Sequence, residues 1–332
     1  MLSEFKSIFD LLKAFPTEQD CITHLENIRW DGVIVSPFDE TSKVYKCANN
    51  KYKCKNTGKY FNVRTNTIFD NTKIPLQKWF LALYVFSSHK KGISSHQLAK
   101  DISVTQKSAW FLLHRLRYAF EHPNFKAVIG EDNGVEIDET FIGGKNKNRH
   151  KDKKVENSQG RSCIDKTPVL GMLERTESIT VERPHKVIKG KMVSEKVVLK
   201  RSVVICQVVA NTKQETVEPI IKTTITKGAN VYTDEWSAYN NLHKNFNHER
   251  VNHGAKEFVN GMAYTNNLEG FWSHLKRGID GIYHWVSKDH LQSYVNEFTL
   301  RFNTRKDSTQ IRFDLILSNV AGRRLTYENL IK

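Results

Sequence analysis

Gly134-Val135-Glu136-Ile137-Asp138-Glu139-Thr140 alternates apolar and acidic side chains. A strand built on it turns Val135 and Ile137 to one side and Glu136 and Asp138 to the other, so Asp138 can leave the core and reach a cleft. A second run, Val231-Tyr232-Thr233-Asp234-Glu235-Trp236, ends on an acid just before a helix expected to begin near Glu235. Asp234 therefore stands where a strand closes, a usual place for ligands in α/β sheets. A third, Asn266-Asn267-Leu268-Glu269-Gly270-Phe271-Trp272, opens a helix whose Leu268, Phe271, Trp272, Leu275 and Ile279 make one apolar stripe. Glu269 flanks that stripe, with Lys276 about two turns later on the same side. Each acid alone has a structural alternative: Asp138 as a surface residue, Asp234 as a helix N-cap, Glu269 joined to Asn266 in a capping box.

Around these runs the pattern is that of a mixed α/β core spanning 130–310. Strands are expected at 134–137, 168–173, 203–210 and 230–233, and helices at 216–225, 235–242, 266–279 and 290–303. Two basic interruptions, 145–166 and 183–201, read as solvated loops; the alternation in Lys196-Val197-Val198-Leu199-Lys200 also suits a β-ribbon. Upstream lie a helical segment (1–28), a small β unit (29–72) with turn signals at Asn49-Asn50 and Thr57-Gly58, and a helical region (73–125); residues 311–332 form a tail. Within the helical region, residues 94–117 have helix-turn-helix spacing. Thr105 caps a second helix with Ala109, Leu112, Leu113 and Leu116 inward, leaving Gln106, Lys107, Trp110, His114 and Arg117 partly outward. Lys107 and Arg117 would then meet phosphate, although an ordinary helical hairpin has the same spacing.

The chain has 332 residues, and its 51 Lys and Arg against 36 Asp and Glu give a formal charge of +15, which favours a polyanionic partner such as double-stranded DNA. No apolar run is long enough for a membrane span and no secretory leader is apparent, so the expected compartment is the cytoplasm. Cys21, Cys47, Cys54, Cys163 and Cys206 are odd in number and scattered, unlike a disulfide framework.

Taken together, Asp138, Asp234 and Glu269 suit a triad that holds two Mg²⁺ or Mn²⁺ ions, hard cations that prefer oxygen ligands. Such a pair supports in-line displacement at phosphorus without a protein nucleophile. Widely separated carboxylates on strands and a helix are gathered in this way in nucleases of the ribonuclease H type. Lys276 and Arg277, and Lys145 and Arg149 from the first basic interruption, would lie beside DNA.

The chain resembles the IS1595 family of transposases, with their ISXO2-like catalytic domain, from about Trp30 to its C-terminus. The resemblance is carried by Val135 to Lys145, Lys166 to Arg175, Val231 to Tyr239, Thr265 to Ile279, Tyr283 to Leu291 and Gly322 to Tyr327. It implies a ribonuclease H-like DDE transposase, with the triad on Asp138, Asp234 and Glu269, acting as an oligomer on the ends of an insertion element. Family members usually carry a zinc ribbon with two Cys-x-x-Cys pairs; here these positions read Ser36-Pro37-Phe38-Asp39 and Cys54-Lys55-Asn56-Thr57. Three of four ligands are missing, so zinc is not expected, and the degenerate ribbon should rest on Tyr45, Tyr52, Tyr60 and Phe61. A catalytically silent DNA-binding protein and a structure-specific nuclease are the alternatives to an active transposase.

Overall fold

In a computed structural model the described residues are 5–121, 128–131, 133–143, 150–156, 164–184, 188, 192–251 and 263–331. The chain divides into two units, one of residues 1–125 with 304–332 and one of residues 126–303.

The first unit begins with two short helices, α1 (Ile8–Ala14) and α2 (Glu18–Trp30), each opened by a capping box, Ser7 with Asp10 and Thr17 with Asp20. Three small strands follow, β1 (Val44–Lys46), β2 (Tyr52–Cys54) and β3 (Tyr60–Phe61), in one antiparallel sheet. Helices α3 (Leu76–Ser88), α4 (Ser95–Asp101) and α5 (Gln106–Ala119) complete the N-terminal part. The Glu18 carboxylate accepts the backbone N–H groups of Leu76 and Gln77, at 2.9 and 3.0 Å, so α2 caps the start of α3.

Residues 311–332, expected as a tail, instead belong to this unit. Helix α9 (Thr309–Leu317) inserts Phe313 among Phe5, Phe15 and Phe80, with ring centroids 5.2, 6.3 and 5.4 Å away. A fully buried phenylalanine placed by tertiary packing explains why no local pattern announced the association.

The β unit is held by Trp30, Tyr52 and Phe61, whose rings meet at 5.3 to 6.2 Å. Tyr45 and Tyr60, expected to stabilise it from within, are 42% and 59% exposed. They lie under Lys43 and Lys53, each ammonium 5.5 Å from the ring centroid.

The second unit is built on a five-stranded mixed sheet. Strands β4 (Val135–Gly143), β5 (Lys166–Glu174) and β8 (Val203–Val208) are antiparallel neighbours, and β9 (Asn230–Thr233) and β10 (Asn247–Arg250) add in parallel beyond β4. The order across the sheet is β10-β9-β4-β5-β8. Between β5 and β8 the chain makes a separate two-stranded ribbon, β6 (Glu177–Pro184) with β7 (Met192–Lys200).

One sheet face packs Val135, Ile137, Leu170, Met172 and Val231 against Val217 and Ile221 of α6 (Gln214–Thr224). The opposite face packs Val169, Leu173, Val204 and Cys206 against α7 (Asn266–Gly278) and α8 (Leu291–Asn303). The helix expected at 235–242 is replaced by two 3₁₀ turns, Ser237–Tyr239 and Leu242–Lys244. The Asp234 carboxylate accepts the Trp236 N–H at 3.0 Å, an Asx turn that competes with helix propagation. The four-residue β10 carries no apolar alternation, which is why sequence periodicity missed it.

Candidate active site

Strand β4 turns Val135 and Ile137 into the core shared with α6, as the alternation predicts. On the other side, however, Glu136 does not reach open space. It is completely buried, ion-paired with Arg175 at 2.8 Å, and accepts the backbone N–H groups of Asn267 and Leu268 at 3.1 Å each. The Asn267 amide donates a further bond of 2.7 Å to it. Helix α7 begins after Thr265, whose side chain makes no capping bond, so a carboxylate from a distant strand fills the role that the Asn266–Glu269 capping box would have taken. Arg175 is fixed in turn, its guanidinium 4.1 Å from the Tyr232 ring centroid and 3.5 Å from that of Tyr264.

Two residues further along β4, Asp138 accepts the indole N–H of Trp272 at 2.9 Å. The approach of that indole depends on Gly171, which pairs with Asp138 across β5. A Cβ at Gly171 would lie 2.5 Å from Trp272 Cζ2, so only glycine lets the ring lie on the sheet. Burial, reinforced by the charge of Glu139 and less strongly by that of Asp234, pushes the Asp138 carboxyl up to about 7 against the Trp272 hydrogen bond. Glu139 faces away, accepting the buried Tyr239 hydroxyl at 2.6 Å.

Asp234 follows directly on β9 and is 7% exposed. The parallel register pairs Val135 with Val231 and Glu136 with Tyr232. Asp138 lies two residues beyond the last pair on β4, and Asp234 two residues beyond it, just past the end of β9, which brings the two carboxylates near one another. Their carboxylates repel, and each is held from a different direction, by an indole or by a backbone N–H. A divalent cation with oxygen ligands would relieve that repulsion, and the donor chemistry of the pair fits one.

Glu269 stands exposed in the first turn of α7, one turn before Trp272. It is not gathered with the two aspartates: among the described residues no group of three or more His, Cys, Asp or Glu side chains lies close enough to hold a metal ion.

Comparison with known proteins identifies the setting. Residues 131–303, more than half the chain and nearly the whole second unit, match the ISXO2-like transposase domain. The chain belongs to the ISXO2-like transposase family. A protein in transposable element ISH50 of Halobacterium salinarum, itself uncharacterised, is 29% identical over 302 residues, covering 87% of this chain and 92% of the relative. An uncharacterised transposase-like protein of Haemophilus influenzae is 33% identical over 105 residues, 31% of this chain and 84% of its own length. No solved structure matches the chain.

The basic residues expected to touch DNA have different fates in this transposase. Lys276 and Arg277 are exposed in the last turn of α7. Lys145 and Arg149 lie outside the described residues. Lys107 is exposed near the start of α5, its ammonium 4.8 Å from the ring centroid of Tyr327, the first residue of the C-terminal helix α10 (Tyr327–Ile331). Arg117 must be corrected: it is 1% exposed, as His114 is 2% exposed, because the last two turns of α5 are buried on nearly every side. Among the described residues, no helix is long and apolar enough to cross a membrane.

In the β unit, Cys54 is buried beside Ser36, Ser42 and Thr57. Burial by itself raises its thiol, yet the three hydroxyls and the Thr57 backbone outweigh this and bring it down to about 6. Asp39 is engaged elsewhere, accepting from Thr41 and from Asn56 at 2.8 Å each.

Glu136, Arg175, Gly171 and Trp272 were not singled out as site residues by sequence reading. Glycine inside an apolar strand was the available signal for a close approach. The bonds among the others join residues up to 134 positions apart and have no local signature.

Proposed function

We propose that this chain is a DNA transposase of an insertion sequence, with a ribonuclease H-like second unit that cleaves and joins DNA at element ends. The observation that supports this best is that Asp138 and Asp234 each lie two residues beyond the last register pair of the parallel strands β4 and β9, close enough for their charges to interact. Asp138, Asp234 and Glu269 are the proposed ligands for Mg²⁺ or Mn²⁺. Bound divalent cations supply activation of the attacking oxygen and stabilisation of the leaving oxygen.

The protein's own contribution is placement. Trp272 orients Asp138, and Glu136 pins the start of α7 to β4, which sets the helix carrying Glu269 beside the strand carrying Asp138. Closure of Glu269 onto the two aspartates then accompanies metal and DNA binding. In the first reaction water attacks the scissile phosphorus and the 3′ oxygen departs, taking a proton to become a 3′-hydroxyl. In the second, that 3′-hydroxyl gives up its proton as its oxygen attacks phosphorus in target DNA, and the displaced 3′ oxygen takes up a proton to leave a new 3′-hydroxyl. Lys276 and Arg277 contact phosphate, and Lys107 at the start of α5 contributes to duplex binding. Lys145 and Arg149 are proposed neighbours of the DNA, and the active assembly is a homo-oligomer on DNA.

A supercoiled plasmid carrying the flanking terminal repeats, incubated with the protein and Mg²⁺, tests the reading. Cleavage at repeat ends and joining to target is expected. Binding without cleavage would indicate a silent DNA-binding derivative, and nicking independent of the repeats a structure-specific nuclease. Asp138→Asn, Asp234→Asn and Glu269→Gln are each expected to reduce cleavage by at least about 10³-fold with DNA binding retained. Substantial cutting by any one variant removes that residue from the triad.

A further inference from the structure

Trp285 departs from the behaviour of the other tryptophans. Trp30, Trp79 and Trp272 are buried at 8%, 1% and 4% exposure, whereas Trp285 is 72% exposed. It is the one exposed large aromatic among the described residues of the second unit.

The backbone in front of it is strained. Helix α7 runs into a π-helical turn, Ile279–Tyr283, and is followed by His284 with φ 61° and ψ −42°. The Trp285 N–H bonds back to the Tyr283 carbonyl at 2.7 Å, across one residue, close to the rare form of γ-turn that a residue with a Cβ adopts at a cost.

Anchors on both sides hold this turn. The Tyr283 hydroxyl donates to buried Glu297 at 2.7 Å, Glu297 pairs with Arg301 at 2.7 Å, and the Tyr283 ring meets Tyr294 at 4.7 Å. Val286 packs against the core cluster formed with α7 and α8. The chain therefore dips into the core at Tyr283, rises through a strained His284 to hold Trp285 in solvent, and dips again at Val286. A disfavoured backbone that also leaves a large apolar ring in water, held by firm packing on either side, is the pattern of a placed binding group.

We infer that Trp285 is a stacking platform for an unpaired nucleobase of DNA. The inference rests on the reading of the second unit as a DNA-processing domain. Lys276, Arg277 and Lys288 are exposed within nine residues of Trp285 along the chain, and an exposed aromatic ring with basic residues nearby in sequence is the combination that takes a base together with its backbone phosphates. A base inside a duplex already has stacking partners on both faces. The ring therefore selects a base that is bulged, flipped or left at a strand end, as cleavage and joining of DNA produce.

The test uses the full chain without Mg²⁺ or Mn²⁺, so that binding is read apart from cleavage. One probe is a short duplex carrying a single unpaired 2-aminopurine, and the other is the same duplex fully paired; affinity is read by anisotropy and stacking by quenching of 2-aminopurine emission. Trp285→Ala is expected to weaken the bulged probe about 5- to 150-fold and to abolish the quenching, with paired-duplex affinity retained. Trp285→Phe should restore most of the affinity, which separates stacking from misfolding. Equal binding of the bulged probe by Trp285→Ala and the unaltered chain overturns the inference, as does an equal loss on both probes. Loss of all duplex binding by the unaltered chain would instead overturn the DNA-processing reading beneath it.

Discussion

At Asp138, burial and electrostatics act against charge. The folded carboxyl sits at about 7 where an unperturbed one sits at 3.8, so the native state binds this proton more tightly than the unfolded chain. Below about pH 4 both states are protonated and there is no penalty; as pH rises towards 7 the unfolded state gains from ionising first, and stability falls. Asp138→Asn, which keeps an acceptor for the Trp272 indole, is therefore expected to stabilise the metal-free protein by about 1–3 kcal/mol above pH 7 and to leave it unchanged near pH 3.5. Thermal unfolding of both proteins across pH checks this; a gap that does not narrow in acid would show that the carboxyl ionises normally. The candidate acids themselves were legible because each occupies a distinctive local setting. The state of Asp138 was not, because its burial and the nearness of Glu139 and Asp234 are properties of packing.

Among the elements, α7 depends on a cap that its own sequence lacks. Glu136→Gln removes the charge facing the α7 N-terminus and leaves Arg175 buried without its carboxylate, a loss expected to cost about 3 kcal/mol in the second unit. Hydrogen exchange should quicken first at the Asn267 and Leu268 amides; unchanged protection there would mean that the cap contributes nothing. The β unit offers the opposite case, an element whose hydroxyl-lined Cys54 occupies one position of a four-ligand pattern. Quantitative metal analysis of protein purified without chelator is expected to find no tightly held zinc, and one zinc per chain would overturn that expectation. Apolar stripes located α7 and α8, the alternation of Val135 and Ile137 located β4, and short apolar runs located β5, β8 and β9, with β5 buried on both faces of the sheet. The turn after Asp234 escaped because an Asx hydrogen bond outcompeted a helix with no strong stripe of its own.

Across the whole molecule, the two units differ in how the chain assembles them. The second is contiguous and coincides with the transposase domain, whereas the first needs residues from both ends of the sequence. Phe313→Ala, emptying a fully buried site ringed by Phe5, Phe15 and Phe80, is expected to destabilise the first unit by about 3–5 kcal/mol. Denaturation followed by tryptophan fluorescence and by limited proteolysis would report it, and an unchanged transition would remove Phe313 from the core.

The basic balance, the mixed α/β pattern, the three acids and the family motifs are all written locally along the chain, and local rules of alternation, capping and charge suffice to read them. Which residues become neighbours is another matter. The register that sets Asp138 beside Asp234, the Glu136 cap on α7, the Gly171 gap that seats Trp272 and the burial of Arg117 each join positions that no local period links. They follow from how sheet and helices close on one another, because packing, not sequence spacing, chooses the partners of a buried polar group.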